Sequence, residues 1–226
     1  VKLDWPDCRN VRDLGGTPTT GDGEIRTGAL IRADSLGLLT PTTQATLREA
    51  TLREPASQGQ RQTQRQGIAL ILDLRWPHEC VQDPNPFAGE AVYRNVPMLD
   101  YPLAYEPPDD TYAPMLDHHG ERIARALRTV AAAPPGGVVV HCHGGRDRTG
   151  LLVALLLTVA GVDPDTIAED FARTPGCEAS AMRDTLTHAE RRHGGVLAYL
   201  REAGVPAGDL TAIRQRLSQA ARSPAA

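Results

Sequence analysis

Lysine occurs once in 226 residues, at Lys2, and no run of arginines replaces it. With a net charge of −4, the chain has no obvious basic block for a nucleic-acid backbone and no polybasic face for an anionic membrane. The longest apolar run, Leu151 to Ala160, is too short to cross a bilayer. Four cysteines, Cys8, Cys80, Cys142 and Cys177, follow no disulfide framework, which suits a reducing cytosol and a cytoplasmic location. The chain opens Val-Lys-Leu-Asp-Trp-Pro, with neither a signal-peptide pattern nor an initiator Met, so a removed leader stays open. Many alanines, arginines and prolines beside a single lysine suggest a GC-rich bacterial genome.

What the chain does have is concentrated between residues 138 and 157. Val138-Val139-Val140 is a short β-branched run, and Leu151 to Leu157 has the length and composition of a buried helix. Between them lies His141-Cys142-His143-Gly144-Gly145-Arg146-Asp147-Arg148-Thr149-Gly150. A strand, a glycine-containing loop and a helix start place several backbone N–H groups and the positive end of a helix dipole at one spot. Such a spot binds a phosphate dianion and favours a thiolate over a thiol. Arg148 offers a planar fork for two phosphate oxygens, which a lysine cannot do. A metal cluster fits poorly, because His141, Cys142 and His143 are adjacent and point in different directions. The pair His118-His119 supplies no second ligand group. A purely structural Cys142 leaves Gly144, Gly145, Asp147 and Arg148 unexplained.

His-Cys-x-x-Gly-x-Asp-Arg-Thr-Gly resembles the signature loop of the cysteine-based protein tyrosine phosphatase superfamily. In its fuller form it is similar to bacterial tyrosine phosphatases that include dual-specificity and phosphoinositide-active members. Three more blocks carry the resemblance: Asn10-Val11-Arg12-Asp13-Leu14-Gly15-Gly16, Leu30-Ile31-Arg32-Ala33-Asp34-Ser35-Leu36, and Asp73-Leu74-Arg75 with Glu79 soon after. The resemblance implies that Arg12, Asp13 and Asp73 support the site. A surface ion pair beside a turn remains the plain reading of Arg12 and Asp13. Asp73 and Arg75 close the apolar run Ile68 to Leu74, at the strand end where open α/β sheets bind ligands.

Strands alternating with helices predict an α/β fold: a central, largely parallel sheet flanked by helices, with a C-terminal helical layer. We read residues 1–226 as one domain. Gly21-Asp22-Gly23 predicts a hairpin, Thr40 an N-cap for a helix to about Arg53, and Ala91 to Val96 a strand. Residues 54–66, rich in Gln and Arg without apolar periodicity, read as a mobile loop that lacks aromatic partners for nucleic-acid bases. Residues 100–117, with four prolines and three tyrosines, read as a rim or short lid. A helix from Glu121 to Ala133 follows it. Short helices over 167–173, 178–193, 195–203 and 209–217 build the last layer, and residues 223–226 form a frayed tail.

The chemistry implied is attack of the Cys142 thiolate on phosphorus, then hydrolysis of a phosphocysteine. Phosphate oxygens would meet the loop from His143 through Gly144, Gly145, Arg146 and Asp147 to Arg148. Thr149 would help the sulfur leave, and His141 would set the thiolate environment by hydrogen bonding. No metal or cofactor is required. The resemblance makes Asp147 the general acid, with Asp100, Asp109, Asp110 and Asp117 as alternatives on the rim. Arg146 stands where relatives usually carry lysine, and His143 is also unusual. The expected substrate is phosphotyrosine, with phosphoserine, phosphothreonine or phosphoinositides as extensions. One alternative is a phosphatase of sugar, nucleoside or inositol phosphates. Another is a phosphate-binding pseudophosphatase, which predicts loss of the nucleophile, the arginine or the acid; all three are present.

Overall fold

The computed structural model describes residues 3, 5, 8–51, 67–108 and 110–220. Residues 54–66, Asp109 and residues 223–226 lie outside the described residues, and with them the expected loop, one rim aspartate and the tail. The first strands are β1 (Arg12–Asp13), β2 (Pro18–Thr19), β3 (Gly23–Ile25) and β4 (Leu30–Ala33), followed by helix α1 (Pro41–Thr51). Next come β5 (Ile68–Asp73), α2 (Pro77–Gln82), β6 (Tyr93–Asn95), α3 (Ala113–Ala132) and β7 (Gly137–His141). The chain then runs through α4 (Asp147–Ala160), α5 (Pro164–Ala172), α6 (Ala179–His193), α7 (Val196–Glu202), α8 (Ala207–Leu217) and β8 (Ser218–Ala220).

The main sheet has the order β1-β4-β7-β5-β6, parallel throughout except for the antiparallel edge strand β1. This is the mostly parallel α/β arrangement expected. The alternation of side chains along a strand divides the core. Val138, Val140, Leu70 and Leu72 pack toward α3 and α4, whereas Val139, Ile71, Ile31 and Ala33 pack toward Leu47 and Phe87. Both central strands are therefore covered on two faces, which is why they read as unbroken apolar runs.

Helix α4 begins where the loop after β7 ends, and its residues from Thr149 to Leu157 are all buried. A helix that is apolar on every side belongs inside a protein. Trimming Leu152 or Leu155 to alanine is expected to cost about 2–5 kcal/mol. Gly150 lets α5 approach closely, since a Cβ there would sit 2.5 Å from the Phe171 ring. Gly161 ends α4 in the left-handed conformation, and the Asp163 carboxylate caps α5 by accepting from the Asp165 and Thr166 N–H groups.

The hairpin turn forms between β2 and β3, with Gly21 at φ +88° and Asp22 at φ +58°. Thr40 caps α1 by accepting from the Thr43 N–H. Two expectations need correction. The rim ends sooner than residue 117, because α3 starts at Ala113 with Met115 and Leu116 already buried. His119, at φ −125° and ψ 26°, kinks the helix just before Gly120, so the apolar periodicity visible in the sequence starts only after the kink. A second sheet, order β2-β3-β8, also brings Ser218–Ala220 back onto the hairpin. Its three short-side-chain or polar residues carry no strand pattern of their own.

Candidate active site

Cys142 lies at the end of β7, 3% exposed, and the loop that follows curls over it toward α4. Five successive carbonyls of that loop are spent facing outward. The Cys142 carbonyl accepts from His141 Nδ1 at 3.2 Å and the His143 carbonyl from the Ser35 N–H at 2.9 Å. Asn10 Nδ2 donates to the carbonyls of Gly144, at 3.4 Å, and Gly145, at 2.8 Å. Gly145 also accepts from Arg32 Nη2 at 2.7 Å, and the Arg146 carbonyl from the Gly150 N–H at 2.6 Å. None of the amides from His143 to Arg148 donates to a described residue. With the carbonyls engaged, the amide N–H groups are left free of described partners, an arrangement suited to an anion. Gly145 permits the turn through its φ of +64°, and a Cβ there would meet the Ala33 carbonyl at 2.6 Å.

A buried charge network backs the loop. Arg12 donates to Asp170 Oδ1 at 2.9 Å and to the Asn10 Oδ1 at 2.9 Å, while Arg32 Nη1 donates to Asp170 Oδ2 at 3.2 Å. Two guanidinium groups share one carboxylate, so a net positive charge sits behind the loop. Burial, with repulsion from Arg12, pulls the Arg32 pKa down to about 10, which leaves it charged at neutral pH. Burial alone would raise the Asp170 carboxyl; the Arg12 bonds and the Arg32 charge outweigh it and hold it below its ordinary range.

A second buried group supports the base of the loop. His141 is fully buried, and burial lowers its pKa, so the ring is neutral. Its Nδ1 must donate to the Cys142 carbonyl, which has no proton to give, and so Nε2 accepts from Asn85 Nδ2 at 2.9 Å. Asp73 lies 3.5 Å from the same Nε2 and accepts from Arg75 Nε and Nη2. Burial opposes ionisation of Asp73, and the neighbouring His141 and then the Arg75 guanidinium hold the carboxyl below its usual range. Arg75 continues to Asp83 and Ser35, tying the β5 end to the β4 end.

Arg148 is held from outside the loop. Its Nη1 and Nη2 donate to the two carboxylate oxygens of Glu79 at 2.6 and 2.8 Å. The guanidinium lies 4.7 Å from the Trp76 ring centre, a cation–π distance. Glu79 in turn accepts from the Trp76 N–H across the first turn of α2. Burial would raise the Glu79 carboxyl, but the bonds from Arg148 and Trp76 keep it below its ordinary range. Because Glu79 takes one N–H from each terminal nitrogen, the Nε edge of the fork is not consumed by a described residue.

The cavity beside the loop has a volume of about 540 Å³. Its walls include Trp76, Leu103, Tyr105, Tyr112 and Met115, with Arg146, Asp147 and Arg148 at the polar end. Asp147 is the only carboxylate among the described residues lining it. Its Oδ1 accepts from the Tyr112 hydroxyl at 2.7 Å, and its Oδ2 lies 3.8 Å from Arg146 Nη2. Asp100 instead pairs with Arg122 and His119, and Asp117 with His188 and Arg192. Asp110 is exposed and does not line the cavity.

Of the residues singled out in the sequence, Arg146, Asp147 and Arg148 line the cavity, Cys142, His143, Gly144 and Gly145 belong to the loop that leads to them, and His141 and Asp73 come within 3.5 Å of each other in the buried interior. Thr149 is buried, and its hydroxyl bonds to no described residue, so no bond to the Cys142 sulfur is made in this state. Arg12 reaches the loop through Asn10. Asp13 is its neighbour on β1 and so faces the other way, accepting from the Gly15 and Gly28 N–H groups at 2.9 and 2.8 Å. Reasoning from sequence did not assign site roles to Asn10, Trp76, Glu79, Asn85, Tyr112 or Asp170. Two of them had a local signal: Glu79, just after Asp73-Leu74-Arg75, and Asn10, which opens the block that runs to Gly16.

The model of the tyrosine phosphatase family matches residues 3–219. A tyrosine-protein phosphatase of Nostoc commune is 25% identical, over 68% of this chain and 67% of its own. The triple specificity protein phosphatase PtpB of Mycobacterium tuberculosis is 27% identical, over 75% of this chain and 67% of its own. A putative tyrosine-protein phosphatase of Cupriavidus necator is 26% identical, over 72% and 59%. The crystal structure of P. aeruginosa TpbA aligns over 86% of this chain at 18% identity with a TM-score of 0.39, too distant to carry any argument. No helix among the described residues is long and apolar enough to cross a membrane.

Proposed function

This chain belongs to the tyrosine phosphatase family and is a phosphatase; from that premise we propose that it hydrolyses aryl phosphate monoesters, phosphotyrosine foremost, through a phosphocysteine. The observation that carries the reading is the outward pinning of five loop carbonyls above Cys142, which leaves the amides to receive a phosphate. In the first step the Cys142 sulfur bonds to phosphorus as the ester P–O bond breaks. The leaving oxygen takes its electron pair and a proton from Asp147. In the second step water attacks phosphorus, gives a proton to the Asp147 carboxylate, and the S–P electron pair returns to sulfur. Loop amides and Arg148 hold the three equatorial oxygens throughout, which is expected to be the largest contribution to rate.

Asp147 is the acid in this reading because Asp100 and Asp117 are engaged elsewhere and neither lines the cavity. Trp76, Leu103, Tyr105, Tyr112 and Met115 make an apolar wall suited to a ring, and among the described residues Arg146 is the one cation besides Arg148 that lines it. This composition favours a phosphotyrosine ring over a sugar or inositol polyphosphate, which would present several charges to an apolar surface. Phosphoserine, phosphothreonine and lipid phosphates are weaker substrates in this reading, the reacting unit being one domain in the cytoplasm.

The decisive measurement is hydrolysis of p-nitrophenyl phosphate in EDTA by wild type, Cys142→Ser and Asp147→Asn. Activity is expected to survive EDTA and to fall on the order of 10⁴-fold or more in Cys142→Ser. Activity that needs metal, or that persists without Cys142, sinks the thiolate mechanism. A kcat/KM that favours any sugar, nucleoside or inositol phosphate over every phosphotyrosine peptide sinks the substrate assignment.

A further inference from the structure

We propose that Tyr112 is a positioning residue for proton transfer, its hydroxyl fixing the Asp147 carboxyl so that Oδ2 is the oxygen that carries the proton. This rests on Asp147 being the general acid. Within the loop only the 3.8 Å approach of Arg146 to Oδ2 distinguishes the two carboxyl oxygens; the one hydrogen bond comes from across the cavity. Tyr112 Oη donates to Oδ1 at 2.7 Å, whereas Oδ2 accepts no hydrogen bond from a described residue and lies 3.8 Å from Arg146 Nη2. An oxygen already accepting a short hydrogen bond is the poorer place for a proton. When the acid is neutral, Oδ1 therefore keeps its carbonyl character and Oδ2 carries the hydrogen.

The phenol can do this because it is itself held. The Tyr112 N–H donates to Thr185 Oγ1 of α6 at 2.8 Å, and that hydroxyl donates to the Ala181 carbonyl at 2.7 Å. The Tyr112 ring stands edge-on to Phe171 of α5, with centroids 5.5 Å apart and an 80° angle between planes. Burial, then the charge of Asp147, push the phenol pKa up, so it remains a donor across the neutral range. The C-terminal helices α5 and α6 thus reach the chemistry through one side chain.

In the first step the Oδ2 proton passes to the leaving oxygen as the P–O bond breaks and the S–P bond forms. In the second, Oδ2 takes a proton from the attacking water as the S–P bond breaks. Tyr112 keeps its own proton in both. Its loss should matter in proportion to how much the leaving group needs protonation. A phenol that only packs would show no such dependence.

The test is kcat and KM of Tyr112→Phe, beside wild type and Asp147→Asn, on p-nitrophenyl, phenyl and benzyl phosphates. For Tyr112→Phe we expect kcat on benzyl phosphate to fall about tenfold, on p-nitrophenyl phosphate less than twofold, and KM to stay unchanged. Asp147→Asn should show the same trend, only steeper. An equal loss on all three substrates, or no loss, overturns the role of the phenol. If Asp147→Asn itself shows no dependence on leaving group, the acid assignment fails first and the Tyr112 proposal falls with it. If Asp147→Asn shows it and Tyr112→Phe does not, only the proposal for Tyr112 fails. Should Tyr112→Phe not fold, Thr185→Val, which loosens the same anchor, is expected to give the same ordering of losses, and an equal loss on all substrates would again overturn it.

Discussion

The loop after Cys142 and the rim across the cavity from it are held by different means. Behind the loop, Asn10, Arg32, Asn85 and Glu79 are spent on backbone carbonyls, an imidazole and one guanidinium, nearly all of them buried. The rim meets the rest of the protein through the half-exposed pair of Asp100 with Arg122 and through Tyr112, whose N–H rests on Thr185 and whose hydroxyl reaches Asp147. In the proposed mechanism the loop recognises a dianion common to every monoester, which calls for rigid geometry and buried support. The rim meets the part of the substrate that varies. Damage behind the loop should therefore lower turnover on all substrates alike, and damage to the rim should alter discrimination among them.

The largest effect on that contrast should come from Arg148→Ala. It is expected to cost about 10³-fold in kcat/KM, equally on p-nitrophenyl phosphate and on a phosphotyrosine peptide, read by steady-state kinetics. A loss confined to the peptide would mean that Arg148 belongs functionally to the rim.

Asp170→Asn should come next, through stability. It leaves Arg12 and Arg32 buried without their shared carboxylate, at a cost of about 3–5 kcal/mol and a melting temperature lower by roughly 10 °C. The sign with pH follows from the depressed Asp170 carboxyl. A group whose folded pKa lies below its unfolded value stabilises the fold above the unfolded value, about 4, and loses that contribution as pH falls further. The gap between wild type and Asp170→Asn should therefore be full at pH 7 and shrink below about pH 4 in thermal melts. A gap that widens toward low pH would contradict the network.

A smaller loss is expected from Asn10→Ala, which frees the Gly144 and Gly145 carbonyls. The loop should then cost about 1–3 kcal/mol in stability, with a kcat/KM loss of about tenfold that is the same for every leaving group. The smallest effect belongs to Asp100→Asn. Its ion pair with Arg122 is half-exposed on both sides, so melting temperature and kcat/KM on p-nitrophenyl phosphate should remain within error of wild type. A tenfold loss there, on the substrate with the best leaving group, would show that the rim is as tightly coupled to the chemistry as the loop.

How far the sequence could be read depended on how local each signal was. The strand Val138 to His141, the turn at Gly144-Gly145 and the apolar helix from Leu151 are neighbours in the chain, and their order alone implies the cradle. The start of α3 was obscured because His119 breaks the helical repeat that Met115 and Leu116 begin. Strand β8 had no pattern to find, since Ser218 to Ala220 become a strand only by pairing with Gly23 to Ile25, about two hundred residues away in the chain. Asp13 and Arg12 sit in one motif, and only the strand's alternation shows that one serves a turn and the other the loop.

By itself the sequence determined the nucleophile candidate Cys142, the arginine Arg148 and the candidate anion-binding loop that joins them, because a strand, a turn and a helix start lie within a few residues of each other. Tertiary structure decided the rest. It showed that Glu79 grips Arg148, that Asn10 and Arg32 turn the loop carbonyls outward, and that Tyr112 rather than any loop residue bonds to Asp147. It also separated Asp147 from Asp100 and Asp117. These contacts join residues tens to more than a hundred positions apart. The pairing is set by how the sheet and helices pack, and composition and spacing along the chain carry no record of it.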